Sequence, residues 1–385
     1  MHIAINALHF HPGASGGAET YLLGLVKALR SVAGDHRVTL IIWREAEDTI
    51  RPLCGGPTDY RIARGGALQQ ARRLALRLVD RSHPTGWLSD IPADVVHYPN
   101  AVMWMRPFPL VTPTVLTMTD LQHEYYPEHW RADDVKFRRK AFPASVKQAD
   151  AVIAISEFTR QGLIERLGCP ADKVKTIYFG VDHAFFSGPV APTQWLDMKA
   201  RYALPEHFLL YPAGTWPHKN HLRLLQALKV LGDRGERDIA LVLTGIREFA
   251  HEDVLHAVSL LGLQGRVIHL GHIPMDDLAV LLKKARGMVF PSLFEGFGLP
   301  VLEAMAAGCP VACSDRAALP EVAGQAALYF DPADVEAIAE AIRVLWSNEE
   351  SRKRLIRAGH NRAAQFSWTK CAEETLRVYE SSLVS

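Results

Sequence analysis

Apolar runs of strand length alternate with segments of helical period along this chain, and the alternation occurs twice. That pattern is the mark of parallel α/β architecture, in which each strand needs a crossover helix before the next can lie beside it. In the first half, strands are expected at Ile3 to Leu8, Val38 to Trp43, Asp94 to Tyr98, Thr114 to Met118 and Ala151 to Ile155. Between the first two, Tyr21, Leu22, Leu25, Val26 and Leu29 fall on one helical face. In the second half, strands are expected at Phe208 to Pro212, Ala240 to Thr244, Val267 to Leu270, Gly287 to Pro291 and Val311 to Ser314. Single cores stop growing near ~250 residues, so a chain of 385 residues is read as two domains.

The stretch Gly180 to Trp195, with two prolines and no regular period, is the expected linker between domains at 1–186 and 196–367. The tail from Ala333 onward reads as helical, and its last segment, 368–385, is expected to pack back on the first domain. Gln69 to Trp87 sets Arg72, Arg73, Arg77 and Arg81 among leucines. That is a basic amphipathic pattern, consistent with peripheral contact with an anionic membrane or a charged acceptor, though a solvated basic helix face outweighs it roughly two to one on pattern alone.

The formal net charge of +1 supplies no global field for a polyanion, so nucleic acid is not an expected partner. The five cysteines are odd in number and form no CxxC pair, which argues against a disulfide framework and a structural zinc. The amino terminus runs directly into a strand and no apolar run reaches ~18 residues, so a cytoplasmic protein is expected.

The most informative string is FPSLFEGFGLPVLEAMAAGCP, Phe290 to Pro310. It reads as a strand end, a glycine-rich loop and a helix with Pro300 at a favoured early position. Ligands of doubly wound sheets bind at the carboxyl ends of strands, and a helix start approached by glycines suits a phosphate. Glu303, one turn inside the helix, can accept two hydrogen bonds from a vicinal diol such as a ribose, and Glu295 stands on the other side of the phosphate position. Either glutamate alone reads better as a dipole-complementing or solvated residue; the whole string does not.

The whole string resembles the E-x7-E signature of retaining glycosyltransferases of the GT-B fold, the family 4 group. The likeness extends through Pro310 to Asp334 and, upstream, through FLLYPAGTWPHKNHLRLLQAL, LVLTG and VIHLGHIPMDDLAVLLKKA. At the amino end GASGGAETYLLGLVKAL resembles the family's acceptor-side glycine loop, and TDLQHEYYPEHW its segment lining the cleft. The resemblance implies an α/β fold of two Rossmann-like doubly wound domains facing across a cleft, with the last helix crossing back to the first. It also implies transfer of a hexose, such as mannose or glucose, from a nucleotide-diphosphate sugar to a glycan or lipid-linked acceptor in polysaccharide or lipopolysaccharide assembly. The anomeric configuration would be retained, with no metal and no cofactor beyond the sugar nucleotide.

Carried over residue by residue, Glu303 would hold the ribose and Glu295 the transferred sugar. The backbone of Gly296, Phe297, Gly298 and Leu299 would line the sugar and phosphate site. Lys219 would pair with the diphosphate, Gly17 would let the first loop approach the donor, and Ile273 would lie near the base. Many relatives have an arginine near the place of Thr215, and "HD" where this chain has Thr119 and Asp120. Asp120 and His123 are therefore the catalytic candidates of the first domain, His123 either replacing the absent histidine or forming the cleft wall.

Other readings open to this sequence are a sugar-nucleotide epimerase or phosphorylase of the same fold, a nicotinamide oxidoreductase, and a catalytically silent nucleotide-binding partner subunit. The glycine cluster at Gly16 and Gly17 lacks the G-x-G-x-x-G order, which weakens the nicotinamide reading. His251 and His256 are five apart and would not share a helix face as zinc-protease ligands do. No D-x-D string is present, and a catalytic metal is not expected.

Overall fold

Strands buried on both faces need helices on both sides, and that requirement organises both halves of the chain. In the computed structural model, which describes residues 1–13, 16–63, 91–103 and 112–383, two units separate after Gly180. The first also takes in the carboxyl-terminal helix Trp368–Ser382.

The first unit contains β1 (His2–Asn6), β2 (Arg37–Ile42), β3 (Thr58–Ile62), β4 (Val95–Tyr98), β5 (Thr114–Met118), β6 (Ala151–Ala154) and β7 (Val174–Thr176). All pair in parallel, in the order β3-β2-β1-β4-β5-β6-β7. The second contains β8 (Leu209–Pro212), β9 (Leu241–Thr244), β10 (Val267–His269), β11 (Gly287–Phe290), β12 (Val311–Ser314) and β13 (Ala327–Phe330), also parallel, in the order β10-β9-β8-β11-β12-β13. In each sheet the strand order reverses beside the first strand of the unit. Crevices at the carboxyl ends of such strands are where doubly wound sheets bind ligands.

Three strands escape the sequence reading, β3, β7 and β13, and all three lie at sheet edges. β3 alternates buried Thr58 with exposed Asp59 and Arg61, and β7 buries only Val174 of its three residues. An edge strand is half solvated, so it lacks the continuous apolar run that marks a central one. The stretch expected to link the domains is itself structured and belongs to the second unit. Asp182 caps the helix His183–Ser187 by accepting from the Phe185 amide, and Pro192 opens the helix Pro192–Arg201. A five-residue helix is too short to show a period, so its cap was the only available sign. The basic stretch Gln69 to Trp87 lies outside the described residues.

The last helix is held to the first unit by a buried polar chain. The Tyr379 hydroxyl lies 2.7 Å from His97 Nδ1, His97 Nε2 lies 2.8 Å from Thr117 Oγ1, and Thr117 Oγ1 lies 3.0 Å from the Tyr21 hydroxyl. Burial pushes the His97 pKa down to about 3, so the ring is neutral and one nitrogen can accept while the other donates. Beside the chain, Phe179 packs between Tyr21 (4.6 Å) and Trp368 (5.9 Å). The Trp368 indole covers Gly24 so closely that an added Cβ would stand 2.4 Å from it.

Gly24→Ala is therefore expected to lower the thermal midpoint. A helix-interior Gly→Ala change normally contributes about 1 kcal/mol of stability, but overpacking against the indole costs roughly 1–3 kcal/mol. A midpoint at or above the wild type would show that Trp368 moves aside at little cost.

Candidate functional site

The site expected from the glycine-rich string assembles at the carboxyl ends of β8, β9 and β11, within the second unit. After β8 the chain makes the short turn Pro217–Lys219, then Asn220 in the left-handed region (φ 60°), then the helix His221–Asp233. After β11 it runs through Pro291 to Gly298, where φ is 108°, into the helix Leu299–Ala306. The two loops are joined by the Leu293 amide donating to the His218 carbonyl at 2.8 Å. The Tyr211 hydroxyl supports them from beneath, donating to the Lys219 carbonyl at 2.5 Å and lying 3.4 Å from Ser292 Oγ.

Asn220 is the strongest tie. Its amide donates to the Pro291 carbonyl at 3.0 Å and to the Pro332 carbonyl at 2.8 Å, and its oxygen accepts from Arg223 at 3.1 Å. Its neighbour Lys219 is thereby set to place Nζ 2.6 Å from Glu295 Oε1 and 5.6 Å from the centre of the Phe290 ring. Both members of the pair are mostly shielded, at 17% and 12% exposure. A single ion pair thus stands before the turn Gly296 to Gly298, and a ligand anion arriving there would compete with Glu295 for the ammonium.

Gly298 must be glycine twice over: its φ is one that side chains resist, and a Cβ would stand 2.6 Å from Leu319 Cδ2. The Phe297 side chain is buried, its ring 6.0 Å from Phe366. Leu299 is likewise buried and opens the helix. Glu303 follows on that helix with 6% exposure, and its carboxylate has no hydrogen-bond or ion-pair partner among the described residues. Burial alone pushes its pKa up to about 7. A carboxylate desolvated without a partner lacks the hydrogen bonds that buried polar groups normally make.

Two of the expected donor residues, Thr215 and Ile273, are buried in the loops around this site. Thr215 is fully buried, and its hydroxyl accepts from the Glu248 amide at 2.8 Å, while its backbone bonds Ile246 O at 3.2 Å and the Ala250 amide at 2.9 Å. It clamps the loop after β9 onto the loop carrying Lys219. Ile273 is buried after Gly271, whose carbonyl accepts from the Gly245 amide at 2.8 Å.

The remaining candidates lie in the first unit. Gly17 is exposed at the start of the helix Gly16–Val32. Asp120 follows β5 and accepts from the Gln122 amide at 2.9 Å. His123 is fully buried edge-on to Phe142 at 4.7 Å, and burial pulls its pKa down to about 4. Asn220 is the residue that reading the sequence missed. Its signal is weak: an asparagine before an apolar helix marks a turn, but its partners are far away in the chain.

Burial separates the other clustered histidines and cysteines from any shared chemistry. His251 is buried and His256 exposed, on different helix faces. Cys309 and Cys313 are fully buried thiols whose pKa values burial pushes up. Among the described residues no three His, Cys, Asp or Glu side chains are grouped to hold a metal ion.

Two doubly wound parallel units, the second carrying an acid, a glycine turn and a second acid at the carboxyl end of β11, define the GT-B class. The solved structure of Anabaena Alr3699/HepE in complex with UDP-glucose shares this fold, with a TM-score of 0.75, 18% identity and coverage of 99% of this chain and 100% of that one. Residues 198–362 match the family model described as glycosyl transferases group 1, and residues 15–185 match glycosyltransferase family 4. The chain is 31% identical to O-antigen chain mannosyltransferase B of Escherichia coli, covering 94% of this chain and 96% of that protein. It is 28% identical to the serotype-specific mannosyltransferase WbdA of Escherichia coli over 93% of this chain, which spans about half of that longer protein (47%). The chain belongs to the family 4 glycosyltransferases.

Proposed function

We propose that this glycosyltransferase moves a hexose, mannose in the first instance, from a nucleoside-diphosphate sugar to a glycan or lipid-linked acceptor during polysaccharide or lipopolysaccharide assembly, with retention at the anomeric carbon. The observation that carries this reading is the Lys219–Glu295 pair, at 2.6 Å, in front of the glycine turn. The O-antigen mannosyltransferase relatives support the sugar and the setting. A place at the inner face of the cell membrane follows from that setting; no helix among the described residues is long and apolar enough to cross a membrane.

In this reading the site residues divide the work. Glu303 accepts the ribose diol. The amides at the start of Leu299–Ala306 and the Lys219 ammonium receive the diphosphate, whose charge rises as the glycosyl bond breaks. Lys219 then exchanges its bond to Glu295 for one to phosphate, and Glu295 is released toward the sugar hydroxyls. Asp120 lies on the acceptor side. Retention needs the acceptor to enter on the face the diphosphate leaves, with a departing phosphate oxygen taking the acceptor proton. A fixed cation in a shielded site offsets leaving-group charge without a metal.

Lys219→Met keeps the aliphatic stem over Phe290 and removes the charge. Turnover is expected to fall by about 10²–10³, the usual effect of losing one preorganised charge donor, with the fold intact. Activity should be unchanged by EDTA, and the anomeric proton coupling of the product should match that of the donor sugar. Full activity in Lys219→Met, or an inverted product, would overturn the reading.

A further inference from the structure

The first unit carries a second constellation that donor binding does not use. The Arg138 guanidinium lies 3.9 Å from the centre of the Trp130 ring and 5.4 Å from that of Phe142. Its neighbour Arg139 is bound to Glu124 at 3.1 Å, whereas Arg138 has no hydrogen bond or ion pair among the described residues. Burial holds Arg138 below the usual guanidinium pKa, opposed by the more distant charges of Asp120 and Asp134. A guanidinium laid flat on an indole keeps its N–H edge available, and Arg138 is only half-buried, so a ligand can reach that edge.

The surroundings select the ligand. Asp120 uses Oδ1 on the Gln122 amide, and its Oδ2 has no partner among the described residues. Behind Phe142 stands His123, fully buried, with neither ring nitrogen hydrogen-bonded among the described residues. The nearest carboxylate oxygen, Glu124 Oε1, is 3.5 Å from His123 Nε2, beyond hydrogen-bond range. An anion drawn to Arg138 would meet the Asp120 charge, and a cation drawn to Asp120 would meet Arg138. Sugar hydroxyls, each both donor and acceptor, match one unmatched donor edge and one unmatched acceptor beside an aromatic face.

We infer that Arg138, Asp120 and Trp130 form a binding subsite for a neutral sugar unit of the acceptor, with Phe142 and His123 as its buried support. Calling that ligand the acceptor rests on the glycosyl-transfer reading; the subsite itself does not. Sequence comparison of the donor string has no bearing on it, because these residues belong to the loop and helix after β5.

The test titrates mannotriose and, separately, inorganic phosphate against the full chain by ligand-observed NMR, for the wild type, Arg138→Met and Arg138→Lys. Stabilisation by GDP and UDP is followed in parallel as a thermal shift. Mannotriose should bind the wild type and bind Arg138→Met roughly tenfold more weakly, as expected for losing a hydrogen bond from a charged donor. Arg138→Lys should fall between them, and the nucleotide shift should be the same in all three proteins. Should Arg138→Met fail to fold, the lysine variant carries the comparison. No mannotriose binding, equal binding in the variants, or binding of phosphate alone through Arg138 would overturn the inference. If neither nucleotide stabilises any of the proteins while mannotriose binding still depends on Arg138, the donor reading fails and the sugar subsite stands.

Discussion

Replacing Glu303 by glutamine is expected to make the unliganded protein more stable at pH 8 and much poorer at binding its nucleotide. The two effects share one cause. Glu303 is 6% exposed and has no partner among the described residues, so its ionised form is disfavoured in the empty site and its pKa rises from 4.5 to about 7. A folded pKa above the unfolded one means that the folded state binds more protons between those two values. Stability from this group is therefore fully present below pH ~4.5, is lost as pH rises through about 7, and stays lost above. At 1.36 kcal/mol per pKa unit the loss is on the order of 3 kcal/mol. Glutamine cannot ionise, so Glu303→Gln should unfold several degrees higher than the wild type at pH 8, with the difference vanishing near pH 4.5.

For the nucleotide the sign reverses. A ribose diol donates to the carboxylate, which is worth about 1.5–3 kcal/mol when the acceptor is charged. The wild type should bind its nucleoside diphosphate more tightly as pH rises from 6 to 8, flattening above about 7, beyond any change seen in Glu303→Gln. Measuring Kd across that range in both proteins cancels the nucleotide's own phosphate ionisation. Parallel pH profiles, or a glutamine variant no more stable at pH 8, would remove Glu303 from the ribose role.

Asn220→Ala should cost about 3–8 kcal/mol and lower turnover by more than the loss of folded protein explains. Two buried carbonyls, Pro291 O and Pro332 O, lose their donor at roughly 1–3 kcal/mol each. Alanine must also hold a φ of 60°, which costs about 1–2 kcal/mol more. With the loop released, Lys219 Nζ no longer sits 2.6 Å from Glu295. Asn220→Gly removes the backbone strain but not the lost bonds, so it should recover only about 1 kcal/mol of the deficit. Asn220→Asp tolerates the left-handed backbone, yet faces both carbonyls with acceptors, so it should be no better than alanine. An aspartate variant as stable as the wild type would mean that the amide does not bridge those loops.

Much of the site was readable because its chemistry is local. Glu295, the glycines and Glu303 lie in one short string, and a strand end, a tight turn and a helix start are all written in neighbouring residues. The central strands were readable for a similar reason, since burial on both faces demands an unbroken apolar run. The edge strands β3, β7 and β13 obey no such demand, and Gly180 to Trp195 hides two short capped helices in a stretch without a period.

Sequence alone thus determined the two-fold α/β plan, the family, and the acid-turn-acid string, because periodicity and turn chemistry act between near neighbours. Only the tertiary structure decided that Lys219 meets Glu295, 76 positions away, and that Asn220 binds carbonyls 71 and 112 positions away. It alone set Thr215 as a clamp between two loops, buried His123, and left the Arg138 guanidinium on an indole without an acceptor. Burial and partnership depend on which distant segments a sheet brings side by side, and no local pattern records that.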